Sequence, residues 1–402
     1  MRIVKLENLP IEWKRGGGLR KSDVISDGKN HCILYGELFT RHKNVLIDID
    51  KLSKTNNTGT VLSKKGDILI PGTSTASKRD MILAREIDIS DVSIGGDINI
   101  IRPKEYIFAP KYLPYFFSTP DAYAQLEKYI TGATGIIHIS NVGIKNLDIP
   151  LPSIEMQKRI VIKLDEAFEK IDRAIELTNQ NILNVNNLLQ AKFNEFFKES
   201  HRDKKQSFLS DVTTYISRGV SPKYIESDGV VVLNQRCIRD HEILNTEARR
   251  HDLSQKNVSC DKFIKTNDIL INSTGQGTLG RTAMATSDHE GCLCDSHVTI
   301  VRPADGLFIP GYFGYLIETF EPDFIRMATG TSGQTELPRA LLCQIQVSYF
   351  EDKEYQVKVY TELSRLRKNI KLIVDKYDVR IKNLSGLKQS MLNEAFSESD
   401  VK

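Results

Sequence analysis

The chain has 402 residues, a formal net charge of +3 and 27% charged side chains, enough for two or three domains with separate cores. That near-neutral balance excludes a globally basic nucleic-acid binder, so any DNA-facing surface must be local. Residues 1–7 hold no apolar leader, and no run approaches the roughly 18 apolar residues of a membrane helix. Six scattered cysteines, with Cys292 and Cys294 too close for a CxxC pair, fit a protein of the reducing cytoplasm with no zinc ribbon. The scattered histidines include no HExxH, so no metal site is expected.

Residues 1–148 read as an α/β domain. A strand at 32–35 leads to a polar loop at Arg41-His42-Lys43, and a turn at Lys65-Gly66 leads to a buried strand at 67–71. A polar loop over 72–79 and a strand at 98–101 before Arg102-Pro103 come next. Short helices near 114–117 and 120–129 and a glycine-rich turn at 131–135 complete the domain. From 149 to 198 the chain reads as one long helix. It has a proline-rich approach, Ser153 as a cap, and no Gly or Pro from 153 to 197. Its apolar positions (Ile160, Leu164, Phe168, Ile171, Ile175, Thr178, Ile182, Val185, Leu189, Phe193, Phe196) recur every three or four residues, as in a coiled-coil seam. At 1.5 Å per residue such a helix is roughly 65 Å long and needs a partner.

The polar stretch 199–206 reads as an exposed linker. Residues 207–350 then repeat the order of the first domain, with strands at 231–234, 269–271 and 298–301 and a glycine-rich turn at 329–333. A second long helix over 351–398 has a seam at Val359, Leu363, Leu366, Ile370, Ile373, Tyr377, Ile381, Leu384, Leu387 and Met391. Gln157 and Gln356, Gln190 and Gln389, and Asn194 and Asn393 each lie 199 residues apart. The chain is therefore an internal repeat of domain and helix. Cores match between the copies while the polar loops diverge, as expected of two copies that each read something different.

On these residues the chain resembles the specificity subunit of type I restriction–modification systems. The proline-rich approach with Gln-Lys-Arg-Ile at 157–160 looks like that family's first central helix. Asp67-Ile68-Leu69-Ile70 and Asp268-Ile269-Leu270-Ile271 look like its recurrent core strand, and Arg102-Pro103 and Arg302-Pro303 also fit. One departure is that the second helix is approached through Tyr349-Phe350-Glu351-Asp352, without prolines, so that a different approach and subunit contact are expected there. The resemblance implies an α/β (α+β) fold: two similar target-recognition domains separated by a pair of long antiparallel coiled-coil helices, related by a pseudo-two-fold axis. It further implies a non-catalytic, cytoplasmic, double-stranded-DNA-binding subunit. Each domain reads one half of a gapped target, and the helices set the spacing and dock two modification (methyltransferase) subunits. Motor-nuclease restriction subunits join for cleavage, and S-adenosylmethionine, ATP and Mg belong to the partners.

Base edges are read by Arg, Lys, Asn, Gln, Ser, Thr or His, and phosphates by Arg, Lys and backbone N–H groups. Position after a matched strand or in a matched turn selects Lys14, Arg15, Arg20, Tyr35, Arg41, Lys43, Ser74, Thr75, Lys78, Arg79 and Thr134 in the first domain. In the second it selects Arg218, Tyr224, Asn234, Gln235, Arg236, Arg239, Gln276, Thr278, Arg281, Ser332 and Gln334. Gly16-Gly17-Gly18 offers a backbone that can approach a phosphate. Lys158, Arg159, Lys163 and Arg173 are expected on the outward, partner-binding face of the first helix.

Two motifs are set aside. GxGxxG at 275–280 is followed by no crossover helix, so it lacks the dipole of a nucleotide site. Pro322-Asp323 with Glu351-Asp352-Lys353 spells a nuclease-like PD…ExK pattern, but both places read as helix starts. The sequence contains no Walker A lysine motif and no Asn-Pro-Pro-Tyr-like methyltransferase motif.

Overall fold

The computed structural model describes residues 2–59, 61–75, 77–132, 135–198, 203–330 and 335–397. The chain divides into two units, Met1–Gln180 with Tyr377–Lys402, and Asn181–Lys376. Each holds one α/β domain, part of the first long helix and part of the second.

In the first unit the central sheet is antiparallel, in the order Ile11–Arg15, Ile98–Pro103, Asp67–Pro71, Arg85–Ile87. The second unit repeats it with Thr213–Arg218, Val298–Pro303, Ile269–Asn272 and Thr282–Met284. Ile68 pairs with Ile101 in one copy and Ile269 with Val301 in the other. The apolar run of this strand has a simple cause. Successive side chains point to opposite faces, and both faces are covered: Ile68 and Ile70 enter one core cluster and Leu69 another. Ile269 and Ile271 against Leu270 do the same.

The aspartate before that strand is held by the arginine that ends its neighbour. Arg102 makes two bonds to Asp67, of 2.7 and 2.6 Å, and a third to the Leu62 carbonyl. Arg302 repeats them on Asp268 at 2.8 and 2.7 Å, with Phe263 as its carbonyl. Both carboxylates and Arg102 are buried, and Arg302 is largely so. Planar guanidinium matches carboxylate in both, the geometry that makes such a pair specific.

The two long helices span Ile154–Phe197 and Lys353–Phe396, 44 residues each. Ser153 Oγ accepts from the Met156 N–H, and Asp352 Oδ1 from Glu354 and Tyr355. Residues 149–150, expected at the head of the first helix, instead belong to the strand Asp148–Pro150, paired with Ile3–Lys5. Residues 205–206, expected in the linker, open a strand that pairs with Gln346–Tyr349. Both helices are therefore approached through an antiparallel strand pair, and the missing prolines do not alter that geometry.

Every expected seam residue of the first helix is buried or half-buried. The second helix departs at Ile373 and Leu387, which are exposed, while Val374 and Lys388 turn inward. The inward steps 370, 374, 377, 381, 384, 388 alternate four and three, the spacing that keeps one stripe against a partner. Lys388 suits the place because its stem covers the Phe168 ring, with Nζ 4.7 Å from the ring centre, while its ammonium reaches Asp172 at 2.6 Å. Within the first unit the helices run antiparallel, as Asp172–Lys388 and Lys163–Glu394 show. In the second unit Arg367 lies 5.7 Å from the Phe193 ring centre.

Candidate nucleic-acid interface

In the first unit, Lys14 and Arg15 end the strand Ile11–Arg15 and carry carboxylate partners, Glu12 at 3.1 Å and Asp97 at 2.7 Å. Asp97 also accepts the Gly72 N–H through its carbonyl, at 2.6 Å, so Arg15 and the start of loop 72–79 share one anchor. Arg20, Lys43 and Thr75 are exposed, and Tyr35 is half-buried against a core cluster. Arg41 follows a short helix, Glu37–Thr40, that lies ahead of the expected loop, and it is tied to Glu37 and Ser53. Lys78 and Arg79 are exposed but reach Glu127 at 3.4 Å and Gln389 at 3.2 Å.

Two expectations need correction. Ser74 is fully buried, because Thr73–Ser74 forms a strand with Ile137–His138, so its side chain offers nothing to a groove. The Gly16 and Gly17 N–H groups are already donated to the Ile98 and Ile94 carbonyls, at 2.9 and 3.1 Å, and an added Cβ on Gly16 would stand 2.1 Å from the Gly95 carbonyl oxygen, so glycine is required there by the chain's own packing. Gly219 meets the Cys294 carbonyl in the same way. Thr134, Ser332 and Gln334 lie outside the described residues.

The second unit gathers its candidates more tightly. Asn234 Oδ1 accepts from the Arg236 N–H and its Nδ2 donates to the Glu247 carbonyl, which fixes the turn 234–236. Gln235 reaches loop 273–281, and an added Cβ on Gly275 would stand 2.2 Å from its Oε1. In that loop Gln276 is exposed and Arg281 donates to the Gly277 carbonyl. Arg218 pairs with Glu336 at 2.7 Å, and residue 336 bridges to Thr274 at the neck of the same loop. Arg239 is exposed on the hairpin 238–243.

Arg249, which sequence reasoning missed, stacks 3.5 Å from the Tyr224 ring centre beside the Asn234 turn. Burial raises the Tyr224 phenol above its ordinary range, as does Asp295, while Arg249 opposes the shift. The hydroxyl stays a donor at neutral pH. An Arg-Arg run before a core histidine was its only signal.

On the first helix Arg159 and Arg173 are exposed, and Lys158 lies over the Tyr106 ring. Lys163 is exposed too, and approaches Glu394 of the second helix at 3.9 Å. Arg173 and Lys43 line one cleft of about 830 Å³ in the first unit. The PD…ExK carboxylates are engaged separately: Asp323 with Arg326, Glu351 with Lys205, and Asp352 as helix cap. Among the described residues, no group of three metal-ligating side chains converges, and no helix is long and apolar enough to cross a membrane.

Residues 25–187 match the type I restriction modification DNA specificity domain family. That match spans the first domain from residue 25 and most of the first long helix. A 107-residue stretch is 28% identical to the EcoKI specificity subunit of Escherichia coli K12, covering 25% of this chain and 23% of that protein. The sequence match thus spans less than a quarter of that relative. A structure described under the complex assembly and conformational transition of the type I R-M system superposes with a TM-score of 0.76 at 17% identity, over 99% of this chain and 97% of that one. The HsdS subunit from Thermoanaerobacter tengcongensis gives 0.52 at 17% identity, over 98% and 96%. At such identities the likeness establishes the fold alone.

Proposed function

We propose that this chain is the DNA-specificity subunit of a type I restriction–modification complex. Each unit reads one half of a bipartite, gapped duplex target, and the long helices set the spacing and dock modification subunits. The observation that carries the reading is the combination of a duplicated scaffold with unlike polar loops. The Asp–Arg clamp, the core strand and the helix approach repeat, while loop 72–79 and loop 273–281 differ in sequence, turns and anchoring. A structural spacer has no need of two different polar surfaces.

In this reading the exposed Arg15, Arg20, Lys43 and Thr75 of the first unit meet backbone and bases. So do Gln276, Arg236, Arg239 and the Tyr224–Arg249 stack of the second. Docking draws support from Arg159, Arg173 and the half-exposed Ile162, Leu177, Leu183 and Leu188 on the first helix. In this reading the subunit itself is not a catalyst. Methyl transfer from S-adenosylmethionine, which requires the target base to leave the stack, and ATP- and Mg-dependent cleavage belong to its partners.

The test is methylome sequencing of cells that hold active modification subunits, with and without this chain. A gapped, bipartite methylated motif that disappears with the chain is the expected result. No chain-dependent motif would overturn the reading in favour of a protein-binding scaffold.

A further inference from the structure

Asn272 is a polar side chain where the repeat calls for an apolar or inert one. It ends the buried strand Ile269–Asn272 and has no exposed surface, while the equivalent residue of the first unit is Pro71. Its backbone closes the neck of loop 273–279. The Asn272 N–H donates to the Arg281 carbonyl at 2.9 Å, and its carbonyl accepts from Gly280 at 2.8 Å. The side chain does something separate. Nδ2 donates both to the Thr278 carbonyl inside the loop, at 3.1 Å, and to the Gln235 carbonyl of the neighbouring turn, at 3.0 Å. Its Oδ1 is buried and meets no hydrogen-bond partner among the described residues.

Burying an amide with an orphaned acceptor opposes folding. An apolar residue would serve the core better, so the amide's contribution lies in what its two N–H groups join. They join the turn 234–236, with Gln235 and Arg236, to the turn 275–278, with Gln276. The same junction holds Gly275, at φ +104°, a conformation strained for any larger residue, whose added Cβ would stand 2.2 Å from the Gln235 Oε1. Among the described residues of the first unit Pro71 makes no such link, and the buried amide of Asn99, on the neighbouring strand, donates to the Ile139 carbonyl instead.

We infer that Asn272 is a positioning residue for base recognition, locking two separate polar turns of the second unit into one reading surface. The inference rests on the DNA-reading function proposed above. Neither N–H of its amide is left for DNA, so it acts through Gln235, Arg236 and Gln276.

The test uses the full chain with its modification subunits in cells and reads the methylated motif of the wild type, Asn272→Ala and Gly275→Ala, beside the thermal melting of each purified chain. The two substitutions loosen the same junction from opposite sides, so one informs if the other fails to fold. The expected result is a motif degenerate at one or more positions of one half-site only. Base discrimination there falls about tenfold, the scale of one lost base-pair preference, and the other half-site is unchanged. Methylation lowered evenly over an unaltered motif would mean that Asn272 only stabilises the fold, and would overturn the inference. So would an unchanged motif in both variants. A wild-type chain that directs no methylation would remove the DNA-reading function, and this inference with it.

Discussion

Gln157 and Gln356, 199 residues apart in sequence, close the same clamp. Gln157 Oε1 accepts from Ala109 N–H at 2.8 Å, and its Nε2 donates to the carbonyls of Ile107 and Pro152. Gln356 Oε1 accepts from Ile309 at 2.8 Å, and its Nε2 donates to Leu307 and Phe350. Both amides are buried, and each pins the first turn of a long helix to the loop before a short helix of its own domain. Replacing either by Leu leaves buried backbone groups unsatisfied, at about 1–3 kcal/mol each. Hydrogen exchange should show Ala109 losing protection in Gln157→Leu, and Ile309 in Gln356→Leu. Retained protection of those amides would mean that the clamp is incidental.

The Asp268–Arg302 pair makes a stronger demand. Removing only the arginine leaves a carboxylate buried without its partner, and such a change costs about 3–5 kcal/mol. Arg302→Met should lower the unfolding free energy of the second unit by that amount, read from denaturant titration. Asp268→Leu combined with Arg302→Met should recover part of the loss, because no charge is then stranded. A double variant that adds the two single losses would contradict a coupled pair.

The buried strands, the helix caps and the seam of the first helix were legible because each rests on local, periodic chemistry: alternation, a polar residue before a helix, a step of three or four. Ile373 and Leu387 misled because several apolar residues sit near the stripe, and only packing decides which turn inward. Lys388 could not be read as a seam residue at all, since its role depends on Asp172 and Phe168 far away in sequence. The candidate interface was legible as loops and less so as residues. Ser74 looks like a loop serine until its strand partner is known. Asn272 looks like the frayed end of a core strand until its two carbonyl acceptors are placed.

His241 places a pH response in the second unit. Its ring lies 3.4 Å from both Glu318 and Glu321, with Arg367 on Glu318 and Lys371 on the neighbouring Glu242. Burial draws its pKa down, but the Glu321 and Glu318 carboxylates more than reverse this, against Arg367, and the net shift is upward from 6.5. Glu321 is raised by burial, but His241 and Thr282 hold it below its ordinary 4.5. A raised histidine stabilises the fold fully below its unfolded value and loses that contribution as pH climbs through the folded one. A lowered carboxylate contributes above its unfolded value and loses it in acid. The cluster is therefore strongest between pH 4.5 and 6.5. His289, in the same cleft and lowered by burial, has the opposite sign and weakens the fold as pH falls. The difference in melting temperature between wild type and His241→Gln isolates the first effect, and it should shrink as pH rises above 6.5. A difference that stays constant with pH would rule the cluster out as its source.

Charge on the proposed reading face should appear in the salt dependence. Arg249 stacks on Tyr224 and Arg236 is largely exposed, with Glu247 4.0 Å away. If each meets one phosphate, substitution by alanine weakens binding across all sequences and reduces the slope of log K against log salt by about 1 per residue. Titration of the assembled complex on a duplex carrying its motif, at several salt concentrations, gives that slope. An unchanged slope for both variants would place the phosphates elsewhere.

The proposed spacing role of the helices can be tested without touching any of the candidate loops. Asp172 meets Lys388 in the first unit and Phe193 lies by Arg367 in the second, and in both cases the residue numbers sum to 560. Deleting residues 179–185 and 375–381 together removes one heptad from each helix and leaves the pairing register of each unit intact. Each helix shortens by about 10.5 Å at 1.5 Å per residue, or roughly three base pairs at 3.4 Å each. The methylated motif should keep both half-sites and lose about three positions from its gap. Deleting 179–185 alone slips one seam against the other, and the melting temperature should fall with no defined new gap. A double deletion that folds and methylates with the original gap would show that something other than helix length fixes the distance between the half-sites.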